Sequence, residues 1–265
     1  MKFGLVNGIK SEAIKGTRGV CPYCGAELIA RCGNIKMNHW AHKGKLMCDV
    51  WWENETEWHR AWKNNFPVEW QEIIHFDDNT GEKHIADTKT TEGWVLEFQH
   101  SPIKQEEILS RNTFYKKIIW VADGLRRERD KKQLDKAIED GATFETNNFQ
   151  FNKIYFPEFS RMLMEWLDCG KPVFLDFNET LMPLVLPIRH KKEVYLTPID
   201  RDIFIELVNM NQFEELLNTI YEEFNEYQVQ RQKEIQEYNN KQYQIGMNKI
   251  IMKYNKRRYY KRGRL

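Results

Sequence analysis

Five consecutive apolar residues, Ile118-Ile119-Trp120-Val121-Ala122, constrain the fold more than any other stretch of this 265-residue chain. A run so short and unbroken, ended by Gly124, is the mark of a strand buried on both faces. Such a strand needs helices above and below its sheet, and the flanking segments supply them. A helix is expected from about Glu53 to Phe66, stopped by Pro67, followed by strands near Val68–Phe76, Lys83–Lys89 and Trp94–Gln99. Ser101 with Pro102 reads as the N-cap and first residue of a helix reaching about Lys116. A polar helix follows the apolar strand near Asp130–Glu139. The order helix, three strands, helix, buried strand, helix predicts an α/β core with helices on both faces of a mixed sheet.

Two of these strands form a hairpin with a chemical consequence. Its expected loop is Thr91-Glu92-Gly93, with Gly93 at the position that needs a left-handed backbone. That register sets Asp87 opposite Glu97, with Cβ atoms roughly 5 Å apart. Glu97 and Gln99 then share one face while Leu96 and Phe98 point into a core. A four-residue loop would instead put Asp87 opposite Leu96 and leave the acids as ordinary exposed charges. Apolar residues surround Glu97, where an unpaired carboxylate is costly. Two carboxylates held this close call for a cation, and hard oxygen ligands with open water positions describe a Mg²⁺ site able to take a phosphate oxygen. On the preceding helix, Glu55, His59 and Lys63 recur every four residues and share a face, while Trp58, Ala61 and Trp62 form an apolar one. Docked by its tryptophans, the helix projects Glu55 toward the sheet as a third acidic ligand or water-orienting group. His59 is placed to shuttle a proton or touch a phosphate.

Hydrophobic residues at 41% and charged residues at 30% suit a folded protein with a real core. No apolar stretch approaches the ~20 residues that cross a bilayer, and the N-terminus lacks a signal peptide's apolar region, so a cytoplasmic location is expected. Five cysteines in that compartment point to metal or free thiols. Cys21-Pro-Tyr-Cys24, followed by His39-Trp-Ala-His42, matches a tetrahedral structural Zn²⁺ site. The His pair is closer than in the common finger spacing, which leaves Cys48 as an alternative to one of them. Cys32 and Cys169 have no evident partner.

Three domains are expected: a zinc ribbon over 1–52, the core over 53–168 and a mostly helical extension over 169–265. The extension opens with short strands around 171–177, 181–188 and 193–198. Its later helix carries Leu216, Leu217, Ile220 and Phe224 at the spacing of a packing stripe. A net charge of +1 hides an acid-rich stretch from Met210 to Glu237 and a wholly basic and neutral one from Lys249 to Leu265. There Lys256-Arg257-Arg258 and Lys261-Arg262 alternate with Tyr254, Tyr259 and Tyr260, which suits phosphate contact and base stacking.

Together these features resemble the competence protein CoiA-like family, a branch of the PD-(D/E)xK nucleases. The likeness rests on Asp87-x9-Glu97-x-Gln99, the Glu55-x3-His59-x3-Lys63 helix and the Cys-x2-Cys…His-x2-His knuckle. It continues through Glu97-Phe-Gln-His-Ser101 and Arg111-x3-Tyr115, covering about residues 20–125 and, loosely, 172–177. It implies a restriction-endonuclease-like core in which Asp87 and Glu97 bind Mg²⁺ or Mn²⁺ and Glu55, or alternatively Glu57, is the helix acid. Gln99 stands where lysine is usual, and His84 where arginine often precedes the first acid. Ser101, Arg111 and Tyr115, with Lys63, would position the site or contact nucleic acid. Gln99 cannot act as a general base but can align a water. The implied function is a metal-dependent nuclease acting on DNA in competence, recombination or defence. A catalytically silent DNA-binding adaptor on the same fold is the alternative, its long C-terminal helix suited to DNA-processing partners. An RNA-processing nuclease is a third.

Overall fold

The computed structural model describes residues 1–33, 37–44, 48, 49, 51, 55–77, 81–188 and 193–262, with side chains described as far as residue 253. The N-terminal part is a five-stranded antiparallel sheet built from β1 (Phe3–Val6), β2 (Ile9–Glu12), β3 (Arg18–Val20), β4 (Glu27–Arg31) and β5 (His39–His42), in the order β2-β1-β3-β4-β5. Its core is small: Met1, Ala13, Cys21, Leu28 and Trp40 form one buried cluster, and Phe3 is buried as well. Gly4 lies against the Trp40 ring, where a Cβ would come within 3.1 Å of it and 2.9 Å of Leu28.

The next helix, α1 (Glu57–Lys63), starts later than its polar-apolar pattern suggests because Thr56 caps it. The Thr56 hydroxyl accepts the His59 N–H at 3.3 Å, and the His59 ring accepts the Thr56 N–H at 3.4 Å, a reciprocal capping box. Glu55 therefore precedes the helix and does not belong to its first turn. The chain continues through β6 (Gln71–Phe76), β7 (Lys83–Lys89), β8 (Val95–Gln99), α2 (Gln105–Tyr115), β9 (Ile118–Asp123), α3 (Asp130–Glu139), β10 (Ala142–Glu145), β11 (Gln150–Ile154), α4 (Arg161–Trp166), β12 (Val173–Asp176), β13 (Leu181–Val185), β14 (Val194–Asp200), α5 (Arg201–Asn209) and α6 (Phe213–Arg262).

These strands make one mixed nine-stranded sheet in the order β10-β11-β14-β13-β12-β9-β8-β7-β6. All six residues of β9 are buried, and the strand runs parallel to both β8 and β12. On β8, Phe98 stacks on Trp62 of α1 with centroids 5.6 Å apart, while the adjacent Glu97 meets Arg111 of α2. Successive side chains of a strand point to opposite faces, so α1 and α2 cover the sheet from its two sides. α2 begins at Gln105 and not at Ser101, because the Ser101 carbonyl accepts the Arg126 guanidinium at 2.7 Å and the Gln99 amide at 2.9 Å and stays in a loop. β12–β14 continue the sheet beyond residue 168, and the β10–β11 hairpin is an element the sequence pattern does not announce.

The chain divides into two compact units, residues 1–145 with 149–214, and residues 146–148 with 215–265. In the second, Glu223 of α6 accepts from the Thr146 hydroxyl at 2.6 Å and the Asn148 N–H at 3.1 Å. No helix among the described residues is long and apolar enough to cross a membrane.

Candidate active site and metal centre

The hairpin register is the one that joins the two acids. Thr88 pairs with Leu96 and Lys89 with Val95, and the same count carries Asp87 to Glu97. The Thr90–Trp94 backbone bond closes the loop at 2.8 Å, with Gly93 at φ 82°. The carboxylates also bond across the gap: Asp87 Oδ2 accepts the Phe98 N–H at 3.0 Å, and Glu97 Oε1 accepts the Asp87 N–H at 3.4 Å.

A third acid joins the row from β6. Gln71 pairs with Thr88 and Ile73 with Ala86, which sets Glu72 opposite Asp87 on its other side. Glu72 holds a left-handed backbone, φ 47°, a conformation costly for a residue with a Cβ. Its carboxylate offsets that strain by accepting the Lys2 N–H at 2.7 Å and the Phe3 N–H at 2.9 Å from β1 and its approach, and the Lys63 ammonium at 2.9 Å. Burial alone would raise its pKa; Lys63 and the two backbone donors outweigh it and hold the group at about 2. Sequence reasoning does not find Glu72. Its register depends on the six residues 77–82 joining β6 to β7, whose Asp, Asn and Gly mark a turn without fixing the length of its loop.

The ends of the acid row are neutralised by buried cations. At one end Lys63 lies 2.8 Å from Glu55, 2.9 Å from Glu72 and 4.0 Å from Asp87. Burial opposes its charge, but the three carboxylates win and hold its pKa well above the usual lysine value. At the other end Arg111 Nη1 donates to Glu97 at 2.7 Å while its Nε donates to Glu107 at 3.1 Å. Burial and the neighbouring Asp87 push Glu97 up to about 8 against the pull of Arg111. Asp87, between them, has a side chain 26% exposed and opens to the pocket.

One pocket of about 70 Å³ gathers these groups, lined by Glu55, His59, Lys63, Glu72, Asp87, Glu97, Gln99 and Arg111 among others. One water needs ~10–15 Å³ by this measure, so the space is large enough for a few waters or a small hydrated ion. Glu55, Asp87 and Glu97 thus line one pocket, although Glu55 is already shared between Lys63 and a two-point contact with Arg60. Glu57, the alternative acid, is exposed and is not among the residues lining this pocket. His59 reaches the pocket with its Nδ1 committed to the α1 cap.

The expected nucleic-acid contacts need correction. Arg111 is 4% exposed and bound to Glu97, Glu107 and the Trp51 carbonyl, so it orders an acid from the pocket wall and is not part of an open basic surface. Tyr115 is a core residue, 4% exposed, packed on Phe114, His75 and Trp51. Lys63 is equally buried and, like Arg111, lines the pocket. The side chains of the basic stretch from Tyr254 on lie outside the described residues.

The second cluster is in the N-terminal sheet. The Cys21-Pro-Tyr-Cys24 knuckle turns between β3 and β4, with Gly25 at φ 74° and its N–H on the Cys21 carbonyl at 2.9 Å. Ligand atoms of Cys21, Cys24, His42 and Cys48 all lie within 4.8 Å of one another. Cys21 and Cys48 sulfurs are 3.8 Å apart, the edge of about 3.8 Å that a tetrahedron with 2.3 Å Zn–S bonds requires. This Cys3His set can hold a structural metal such as zinc. Cys48 replaces His39, and the reason is the strand: residues 39 and 42 sit three apart on β5 and point to opposite faces. His39 Nδ1 instead meets the Met37 carbonyl at 2.9 Å.

Two family models match the chain: competence protein CoiA, N-terminal domain, over residues 8–50, and competence protein CoiA, nuclease-like domain, over residues 84–180. The first contains all four residues of the Cys3His cluster, and the second contains Asp87, Glu97 and Gln99. No curated protein matches the chain, and no solved structure does.

Proposed function

Because the chain belongs to the competence protein CoiA-like family and carries its nuclease-like domain, we propose that it is a metal-dependent nuclease hydrolysing DNA phosphodiester bonds on a restriction-endonuclease-like core. The observation that carries this reading is the acid row, in which Asp87 stays open to the pocket between two paired neighbours. Asp87 and Glu97 would hold Mg²⁺ or Mn²⁺. Bound there, the ion lowers the pKa of an attacking water and offsets charge on the phosphate.

The remaining work falls to side chains. Lys63 places a permanent positive charge beside the acids, where the non-bridging oxygens of a bound phosphate gather negative charge. Gln99 aligns a water by hydrogen bonding and takes no proton. Arg111 keeps Glu97 turned into the pocket. The family description, a competence protein, supports a role for this activity in competence, and the basic C-terminal stretch would supply charge for the DNA backbone.

Asp87→Ala and Glu97→Ala are each expected to abolish Mg²⁺-dependent cleavage of DNA while leaving zinc content and the circular dichroism spectrum unchanged. Undiminished nicking by the double variant would refute the assignment. Wild type that binds DNA yet takes up no Mg²⁺ or Mn²⁺ would favour the silent adaptor. Matched RNA in the same assay identifies the nucleic acid.

A further inference from the structure

We propose that Asp49, the residue after the last thiolate of the Cys3His cluster, is a positioning residue of the nuclease site, so that metal in that cluster sets the Asp87–Glu97 pair. The inference rests on the nuclease reading and adds what governs the pocket.

Asp49 is 3% exposed and gathers three donors. Its Oδ2 accepts the Ile85 N–H at 2.7 Å, and its Oδ1 accepts the Trp51 N–H at 3.0 Å and meets His84 Nδ1 at 2.9 Å. His84 and Ile85 stand on β7 just ahead of Asp87, so anchoring their backbone anchors the first acid. Trp51 carries the same connection to the second. Its carbonyl accepts Arg111 Nη2 at 2.9 Å, and the other arm of that guanidinium holds Glu97. The Trp51 ring stacks on His84 with centroids 3.3 Å apart, and both Asp49 and Trp51 line the pocket.

The other arm of the cluster grips the same strand. Tyr23, between Cys21 and Cys24, donates its hydroxyl to the Lys83 carbonyl at 2.6 Å, and Lys83 Nζ returns to the Tyr23 carbonyl at 2.7 Å. β7 is therefore held at Lys83, His84 and Ile85 by residues whose chain neighbours are the Cys3His ligands. The small N-terminal sheet buries too little to fix these segments unaided, and a metal is what staples a sheet of that size. Ligand carboxylates work only when held within about 0.5 Å of their productive geometry. Loss of the ion frees Cys48, and Asp49 moves with it.

The test uses the full-length chain with zinc bound and reads Mn²⁺ binding by calorimetry beside DNA cleavage. Wild type that neither binds Mn²⁺ nor cuts removes the nuclease reading, and this inference with it. With an active wild type, Asp49→Ala is expected to keep its zinc and its DNA affinity in Ca²⁺, while Mn²⁺ affinity and kcat each fall about tenfold or more. Asp49→Asn, which keeps an acceptor for Ile85, is expected to fall between. Asp49→Ala with wild-type Mn²⁺ affinity and kcat overturns this inference alone. Should that variant not fold, wild type decides by reciprocity: Mg²⁺ must tighten zinc, measured by competition with a chelator that ignores Mg²⁺, by the factor by which zinc tightens Mg²⁺. Independent affinities overturn the proposal.

Discussion

Glu97 is the acid whose charge state controls the pocket. Buried beside Asp87, it is held at about 8 before any ion arrives, and a divalent cation needs it as a carboxylate. Below that pH, ion binding must expel a proton; above it, none. Mn²⁺ affinity is therefore expected to rise about tenfold per pH unit toward pH 8 and then level, with close to one proton released per ion at pH 7. Calorimetry in two buffers of different ionisation enthalpy counts that proton, and a pH-independent affinity between 6 and 9 would contradict it. The pairing of Asp87 with Glu97 is legible in the sequence because one glycine fixes the loop. Glu72 is not legible, although it flanks the same acid, since the longer link from β6 leaves its register open. His39 misleads for a related reason: the His-x2-His spacing suits a helix or turn, and here it lies on a strand.

At the scale of an element, α1 is a short helix whose placement depends on one distant carboxylate. Asp176 at the end of β12 accepts the Trp58 indole N–H at 2.8 Å and the Trp62 indole N–H at 2.7 Å. Asp176 and Trp62 are both fully buried, and Arg201 lies 4.5 Å over the Trp62 ring. The tryptophan face is readable from the spacing of Trp58 and Trp62, but its acceptor lies 114 residues beyond Trp62 and no local pattern points to it. Asp176→Ala leaves a buried indole donor without an acceptor and is expected to cost about 3 kcal/mol, measured by urea unfolding. Metal affinity should fall as well, since Lys63 rides on the same helix. A loss under about 0.5 kcal/mol would show that α1 is held by apolar packing alone. β10 and β11 escape a sequence reading because they are short strands of mixed polarity at the sheet edge, where alternation is weak.

Charge is distributed on the scale of the whole molecule, and the tail tests it. The two family matches fall within residues 8–180, and the acid row and Cys3His cluster lie there too. Residues 241–265 hold nine Lys and Arg and no acid. The described side chains of that segment, Lys241 to Lys253, are exposed on a helix apart from Gly246, so removing them uncovers no core. A chain ending at residue 240 is expected to keep wild-type Mn²⁺ affinity and, at saturating DNA, wild-type kcat, while binding DNA more weakly. The diagnostic quantity is the slope of log affinity against log salt, which flattens by about 0.9 for each duplex phosphate that the shortened chain no longer neutralises. Filter binding from 50 to 200 mM salt measures it. An unchanged slope would assign DNA attraction to the sheet-bearing unit and leave the basic helix for a protein partner. A reduced kcat at saturation would instead make the tail part of the cleavage step.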